Sequence, residues 1–168
     1  MKEVTVRRMS ESDVPAVTEI LNYYVEHTPI TFDLEPHTVE SRLDWFRQFR
    51  ESGPHQCFVA EHGGSVAGYA CSTQFRKKAA YDVSVETTVY LRHGDQGGGI
   101  GSRLYRVLFE ALAAEDVHRA VAGVTLPNEA SVSLHEKFGF SYVGNFTEIG
   151  RKFDRYWDVA WYIKDMTR

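Results

Sequence analysis

The 168-residue chain has only two cysteines, Cys57 and Cys71. They form no CxxC pair and no Cys/His spacing that would suggest a metal site, so a disulfide scaffold and a zinc module are both excluded. The bland reading of the pair is two small buried residues on neighbouring strands. No apolar run approaches the roughly 18 residues of a membrane span. The first residues, MKEVTVRRMSESD, lack the apolar core of a signal peptide, and the expected setting is cytoplasmic. There is no excess of basic charge either. Nineteen Lys and Arg stand against 23 Asp and Glu, for a net charge of −4, which disfavours nucleic acid as a partner. Low-complexity tracts, linkers and internal repeats are missing too, which leaves one soluble domain over residues 1–168.

What is present is an ordinary globular composition, 43% hydrophobic and 25% charged. Residues 3–8 alternate and predict an edge strand. Ser10 and Asp13 have capping-box spacing, ahead of a helix carrying Val14, Val17, Leu21, Tyr24 and Val25. Thr28 and Pro29 end it. A second helix is expected from an N-cap at Thr38, with Val39, Leu43, Phe46 and Phe49 on one face and Gly53-Pro54 as its stop. CFVAEH, a Gly63-Gly64 turn and SVAGYACSTQF predict a hairpin, and residues 83–91 a further strand. Leu104, Val107, Leu108, Ala111 and Leu112 mark a third helix. Then follow the strand AVAGVTL, a helix over 128–137 capped by Gly139, and strands over 140–149 and 156–163. Strand, glycine loop, helix and strand in the middle make a crossover unit, so part of the sheet is parallel. The fold class is α/β: a mixed, twisted sheet with helices on both faces.

Four of the six residues Gln96-Gly97-Gly98-Gly99-Ile100-Gly101 are glycine, directly before a helix. That much backbone freedom costs entropy, and an anion held on the helix N-terminus would repay it. Which phosphate is a separate question. A P-loop needs Lys before Ser102, and none is there. A dinucleotide fingerprint needs a third glycine where Ser102 stands, and the next strand ends in Thr125-Leu126-Pro127-Asn128, with no acid for a ribose.

Gln96 to Gly101 matches the Q/R-x-x-G-x-G/A signature of the GNAT superfamily of N-acetyltransferases. The chain resembles its phosphinothricin N-acetyltransferase branch. FDLEP at 32–36, AYDVSVETTVYL at 80–91, the run Gly99 to Tyr105, LPNEASVSLHEKFGF at 126–140 and WDV at 157–159 carry the likeness in order, over most of residues 20–165. The resemblance implies a GNAT fold whose central strands splay to bind acetyl-CoA as co-substrate, with no metal. It implies pyrophosphate contacts at Gln96, Gly97, Gly98, Gly99, Ile100, Gly101 and Ser102. The pantetheine arm would lie along Val89, Tyr90 and Leu91, with Asn128 bonding it and Ser131 nearby. Helix capping would explain Asn128 equally well. Gly97 stands where a basic residue is frequent, and Asp95 is unfavourable beside a pyrophosphate. Both predict modest coenzyme affinity, with Kd above about 1 μM.

Acetyl transfer needs a base for the amine, a donor for the departing thiolate and N–H groups for the developing oxyanion. Glu86 lies on the expected strand with Thr88 and Tyr90 on its face. A carboxylate in a partly apolar strand has a raised pKa, and the resemblance implies that Glu86 is the base. The backbone N–H groups of the splayed strand, that of Val89 among them, are the expected oxyanion donors. His135 stands where many of the superfamily carry Tyr; it is the candidate acid, or a group that orients substrate. Substrate contacts are expected from Phe32, Glu35, Arg76, Lys78, Tyr81 and Tyr105, the last facing away from the centre of its helix's apolar stripe. Arg76, Lys77 and Lys78 form a basic run suited to an acidic, amino-acid-like amine.

The expected activity is direct acetyl transfer, in a ternary complex, to a small amine of the phosphinothricin, methionine sulfoximine or methionine sulfone type. Transfer to protein N-termini or polyamines is one alternative, and a non-catalytic coenzyme A sensor another. The resemblance also implies a homodimer, with Tyr156, Trp157, Trp161 and Tyr162 as interface candidates, although burial within one chain would explain those aromatics equally well.

Overall fold

The computed structural model describes residues 4–167. Strand β1 (Val4–Arg8) is indeed an edge; residue 3 of its expected range lies outside the described residues. The capping box at Ser10 and Asp13 forms, with both the Ser10 amide and its hydroxyl donating to Asp13 Oδ2 at 2.8 Å. It closes a short 3-10 turn that feeds helix α1 (Val14–His27). Helix α2 (Val39–Phe46) starts on Thr38, whose hydroxyl accepts from the Ser41 amide at 3.2 Å. It ends well before Gly53-Pro54, so Phe49 is not helical; its ring still packs edge-on against Trp45, 4.7 Å away.

Strands β2 (Cys57–His62) and β3 (Ser65–Gln74) form the expected hairpin. Gly63 and Gly64 both have positive φ, 66° and 85°, which a turn matched to strand twist requires. There follow β4 (Ser84–Leu91), α3 (Ile100–Leu112), β5 (Arg119–Thr125), α4 (Glu129–Lys137), β6 (Ser141–Lys152) and β7 (Arg155–Asp165). The seven strands make one sheet in the order β1-β2-β3-β4-β5-β7-β6, antiparallel except for β4 and β5.

Alternation along the hairpin assigns the two cores. Phe58, Ala60 and Ala70 join a cluster with Leu104, Leu108 and Leu112 of α3. Cys57, Val59, Tyr69 and Cys71 join the opposite cluster, with Val14, Val17 and Ile20 of α1. Successive residues of a strand point to opposite faces, so helices cover both sides of the sheet. Tyr105 is fully buried in the α3 cluster, and so belongs to the helix's apolar face. Among the described residues no helix is long and apolar enough to cross a membrane.

Candidate active site

The sheet opens in the middle. β4 and β5 pair only from Ser84–Arg119 to Glu86–Val121, although β4 continues to Leu91 and β5 to Thr125. Beyond Glu86 the two strands part, and one edge of β4 is left without a strand. The Arg92 amide donates to Ala67 on the β3 side. Backbone groups of a strand alternate in direction, so those of Tyr90, Thr88 and Glu86 face β3, and those of Val89 and Leu91 face the gap. Val89 and Leu91 therefore fit an arm bound like an added strand. The Tyr90 backbone does not, although its side chain lines the cavity. The Leu91 carbonyl already accepts from the Tyr24 hydroxyl at 2.6 Å.

Below the gap lies the glycine loop. Gly97 and Gly99 have φ of 87° and 75°, and a Cβ on Gly97, Gly98 or Gly99 would meet nothing within 4 Å. The backbone thus faces open space at the N-terminus of α3, which suits an anion. Gly97, Gly99, Ile100, Gly101 and Ser102 line the cavity; Gly98 does not. Gln96 lines it too, but its side chain is engaged within the protein. Its Nε2 donates to Tyr24 Oη at 3.2 Å, and its Oε1 accepts from the Gly94 amide at 2.8 Å. Asp95 is not the bare charge expected from sequence. Arg92 Nε donates to it at 2.7 Å and His62 Nδ1 lies 3.9 Å away, so half the case for modest coenzyme affinity falls.

One cavity of about 890 Å³ joins the gap, the glycine loop, Glu86, Asn128, Ser131, Tyr105 and His135. Burial raises the pKa of Glu86, while the charge of Arg76 opposes the rise. Asn128 is the N-cap of α4, its Oδ1 accepting from the Ser131 amide at 3.1 Å. The capping reading therefore holds, and only its amide nitrogen is left to donate to a ligand. His135 is buried. Its Nδ1 lies 2.7 Å from the Ser131 carbonyl, which can only accept, so Nδ1 carries the proton. Nε2 is then the acceptor for the Tyr105 hydroxyl at 2.9 Å. Burial lowers the His135 pKa and raises that of Tyr105, so the ring is neutral and the phenol protonated.

Of the expected substrate residues, Phe32 and Tyr105 line the cavity. Glu35, Arg76, Lys78 and Tyr81 are exposed and outside its wall. Arg76 and Tyr81 nevertheless flank it at one remove. Both pack on Phe75, which meets the cavity residue Trp161 edge-on at 6.2 Å. The sequence reading missed Thr31, Thr88, Thr125, Phe146, Ile149 and Trp161 as lining residues. Trp161 could have been inferred from Gly123, its partner across β5 and β7, because a Cβ there would come within 3.3 Å of the indole.

Splayed parallel strands above a glycine-led helix define an acyl-coenzyme A transferase fold, and the comparisons agree. The acetyltransferase (GNAT) family model matches residues 17–140, and the chain belongs to that family. A phosphinothricin N-acetyltransferase of Streptomyces coelicolor is 55% identical over 98% of this chain and 97% of its own length. An L-methionine sulfoximine/L-methionine sulfone acetyltransferase of Salmonella typhimurium is 31% identical over 94% and 91%. Among solved structures, a Salmonella typhimurium acetyltransferase with bound acetyl-CoA superposes with a TM-score of 0.92 at 30% identity, covering 98% of this chain and 95% of that one. The protein is an N-acetyltransferase with acetyl-CoA as co-substrate.

Proposed function

We propose that the protein transfers an acetyl group directly from acetyl-CoA to the amine of a small amino-acid-like substrate, of the phosphinothricin or methionine sulfoximine type. The observation that carries this is a carboxylate of raised pKa, Glu86, in the same cavity as an unpaired strand edge and an open glycine loop. The loop backbone and the α3 N-terminus hold the pyrophosphate. Val89, Leu91 and the Asn128 amide nitrogen hold the pantetheine arm, beside Ser131. Bound acetyl-CoA supplies the electrophilic thioester carbonyl.

Glu86 takes the proton of the amine, directly or through water. The Val89 N–H faces the gap and stabilises negative charge on the carbonyl oxygen. Neutral His135 has no proton on Nε2 to give, so it accepts from the Tyr105 hydroxyl and fixes that ring in the cavity wall. The thiolate departs as coenzyme A and takes its proton from water, while Glu86 keeps the proton of the amine. Arg76 acts on Glu86 through its field rather than as a wall of the pocket. The similarity to enzymes named for phosphinothricin and methionine sulfoximine supports this substrate class. The free, buried thiols Cys57 and Cys71 fit a reducing cytoplasm. Exposed apolar residues on β6 and β7, among them Tyr142, Val143, Phe146, Ile149 and Tyr156, fit a homodimer interface.

The test is thiol release from acetyl-CoA with phosphinothricin, methionine sulfoximine, methionine sulfone, spermidine and a short peptide. Turnover on the first three is the expected result. Turnover on spermidine or peptide alone would overturn the substrate class. Coenzyme binding with no turnover on any amine would favour a coenzyme A sensor.

A further inference from the structure

We propose that the β6–β7 hairpin is a specificity latch for the amine cavity, with Lys152 a positioning residue that, together with Gly150, holds Thr31 and Phe32 in the cavity wall. The inference deepens the amine-transfer reading and rests on it for its kinetic consequence.

Lys152 is only 4% exposed. Among the described residues its Nζ makes one hydrogen bond, to the Thr31 carbonyl at 2.9 Å. An ammonium carries three donors and is costly to bury; here it lies 5.2 Å from the centroid of the Phe153 ring and spends its hydrogen bond on the Thr31 backbone oxygen. Burial lowers the Lys152 pKa, and the nearby Asp33 carboxylate opposes the fall.

Two residues earlier, the hairpin lies flush against the next side chain of the same segment. A Cβ on Gly150 would sit 2.1 to 2.6 Å from three atoms of the Phe32 ring. No side chain larger than hydrogen fits there while the ring keeps its place. Ile30, Thr31 and Phe32 all line the cavity that contains Glu86. They lie in the connection between α1 and α2, which has no helix or strand of its own. Ile30 packs against the α1-side core. Among the described residues the other contacts this segment has with β1 to β5 are a long bond from Thr125 Oγ1 to the Ile30 carbonyl, 3.5 Å, and the contact of the Thr31 side chain with Tyr90. The hairpin therefore holds the Thr31 carbonyl through Lys152 and seats the Phe32 ring on Gly150.

Lys152→Met keeps most of the stem and removes the donor; Lys152→Arg keeps a charged donor; Gly150→Ala disturbs the ring without touching the lysine. Amide hydrogen exchange of residues 28–37 in the full chain needs no substrate. It is expected to speed up in Lys152→Met, to return toward wild type in Lys152→Arg, and to change little elsewhere. The KM for methionine sulfoximine is expected to rise roughly tenfold in Lys152→Met and in Gly150→Ala, as loss of a charged hydrogen bond predicts, with kcat and acetyl-CoA affinity nearly unchanged. Unchanged exchange in residues 28–37 would overturn the latch. So would an equal loss of amine and coenzyme affinity with a lowered melting temperature, which marks a merely structural residue. If Lys152→Met does not fold, Gly150→Ala carries both readouts. A wild type that acetylates no amine of this class would sink the functional reading, while exchange would still decide the latch.

Discussion

Two opposed influences meet at Glu86. Burial raises its pKa and the Arg76 charge holds it down. A base works when deprotonated, so activity rises with pH through this pKa. Arg76→Ala removes the lowering influence, and the acid limb of the kcat/KM profile is expected to move to higher pH. An unmoved limb would show that Arg76 does not reach the base. The expected role of Glu86 came from the family resemblance alone, but its place on β4 was legible in the sequence from period-two alternation. The geometry of His135 was not. Whether its ring offers or accepts a proton depends on the Ser131 carbonyl, one turn earlier, and on Tyr105, from another helix. Lys152 was also illegible, since its partner lies 121 positions away.

At the scale of elements, the glycine loop has the backbone freedom that its composition implied. It leaves open backbone at a helix N-terminus, with left-handed conformations at Gly97 and Gly99. Gly99→Val would strain that conformation and fill the open space. Coenzyme binding measured by calorimetry is expected to fall below detection; an unchanged Kd would make the loop a turn only. The strands and helices were legible because each has a clear period and a chemical stop signal. The early end of α2 was not, because nothing in the residues after Phe46 is a strong helix breaker until Gly53. Nor was the parting of β4 from β5, since splaying is a property of two strands rather than of either one.

For the whole molecule, acid stability depends on a pair that ties β1 to the entry of α1. Burial alone would raise the Asp13 pKa, but hydrogen bonds from Arg7 and Ser10 outweigh it and bring it down to about 2. Arg7 donates two 2.8 Å bonds to this carboxylate. A group whose folded pKa is depressed stabilises the fold above its unfolded value, and that stability is lost as pH falls from about 4 to about 2. Asp13→Asn is expected to cost on the order of 1–2 kcal/mol at neutral pH and to flatten the stability curve over that range, as urea titrations would show. An equal acid dependence in wild type and variant would assign the effect elsewhere. Association is testable on the same scale. Sedimentation is expected to show a dimer of wild type, and Phe146→Glu, placed in the exposed apolar row, is expected to shift it to monomer. A monomeric wild type would remove the dimer from the proposal.

The most direct measurement compares wild type and Glu86→Gln for thiol release with methionine sulfoximine and, separately, for acetyl-CoA affinity. The amide keeps the shape of the side chain and removes the base. Turnover is expected to fall by roughly 10²-fold or more, the usual size of a general-base contribution, with coenzyme affinity unchanged. Wild-type turnover in the variant would contradict the assignment of Glu86, and with it the mechanism built on this cavity.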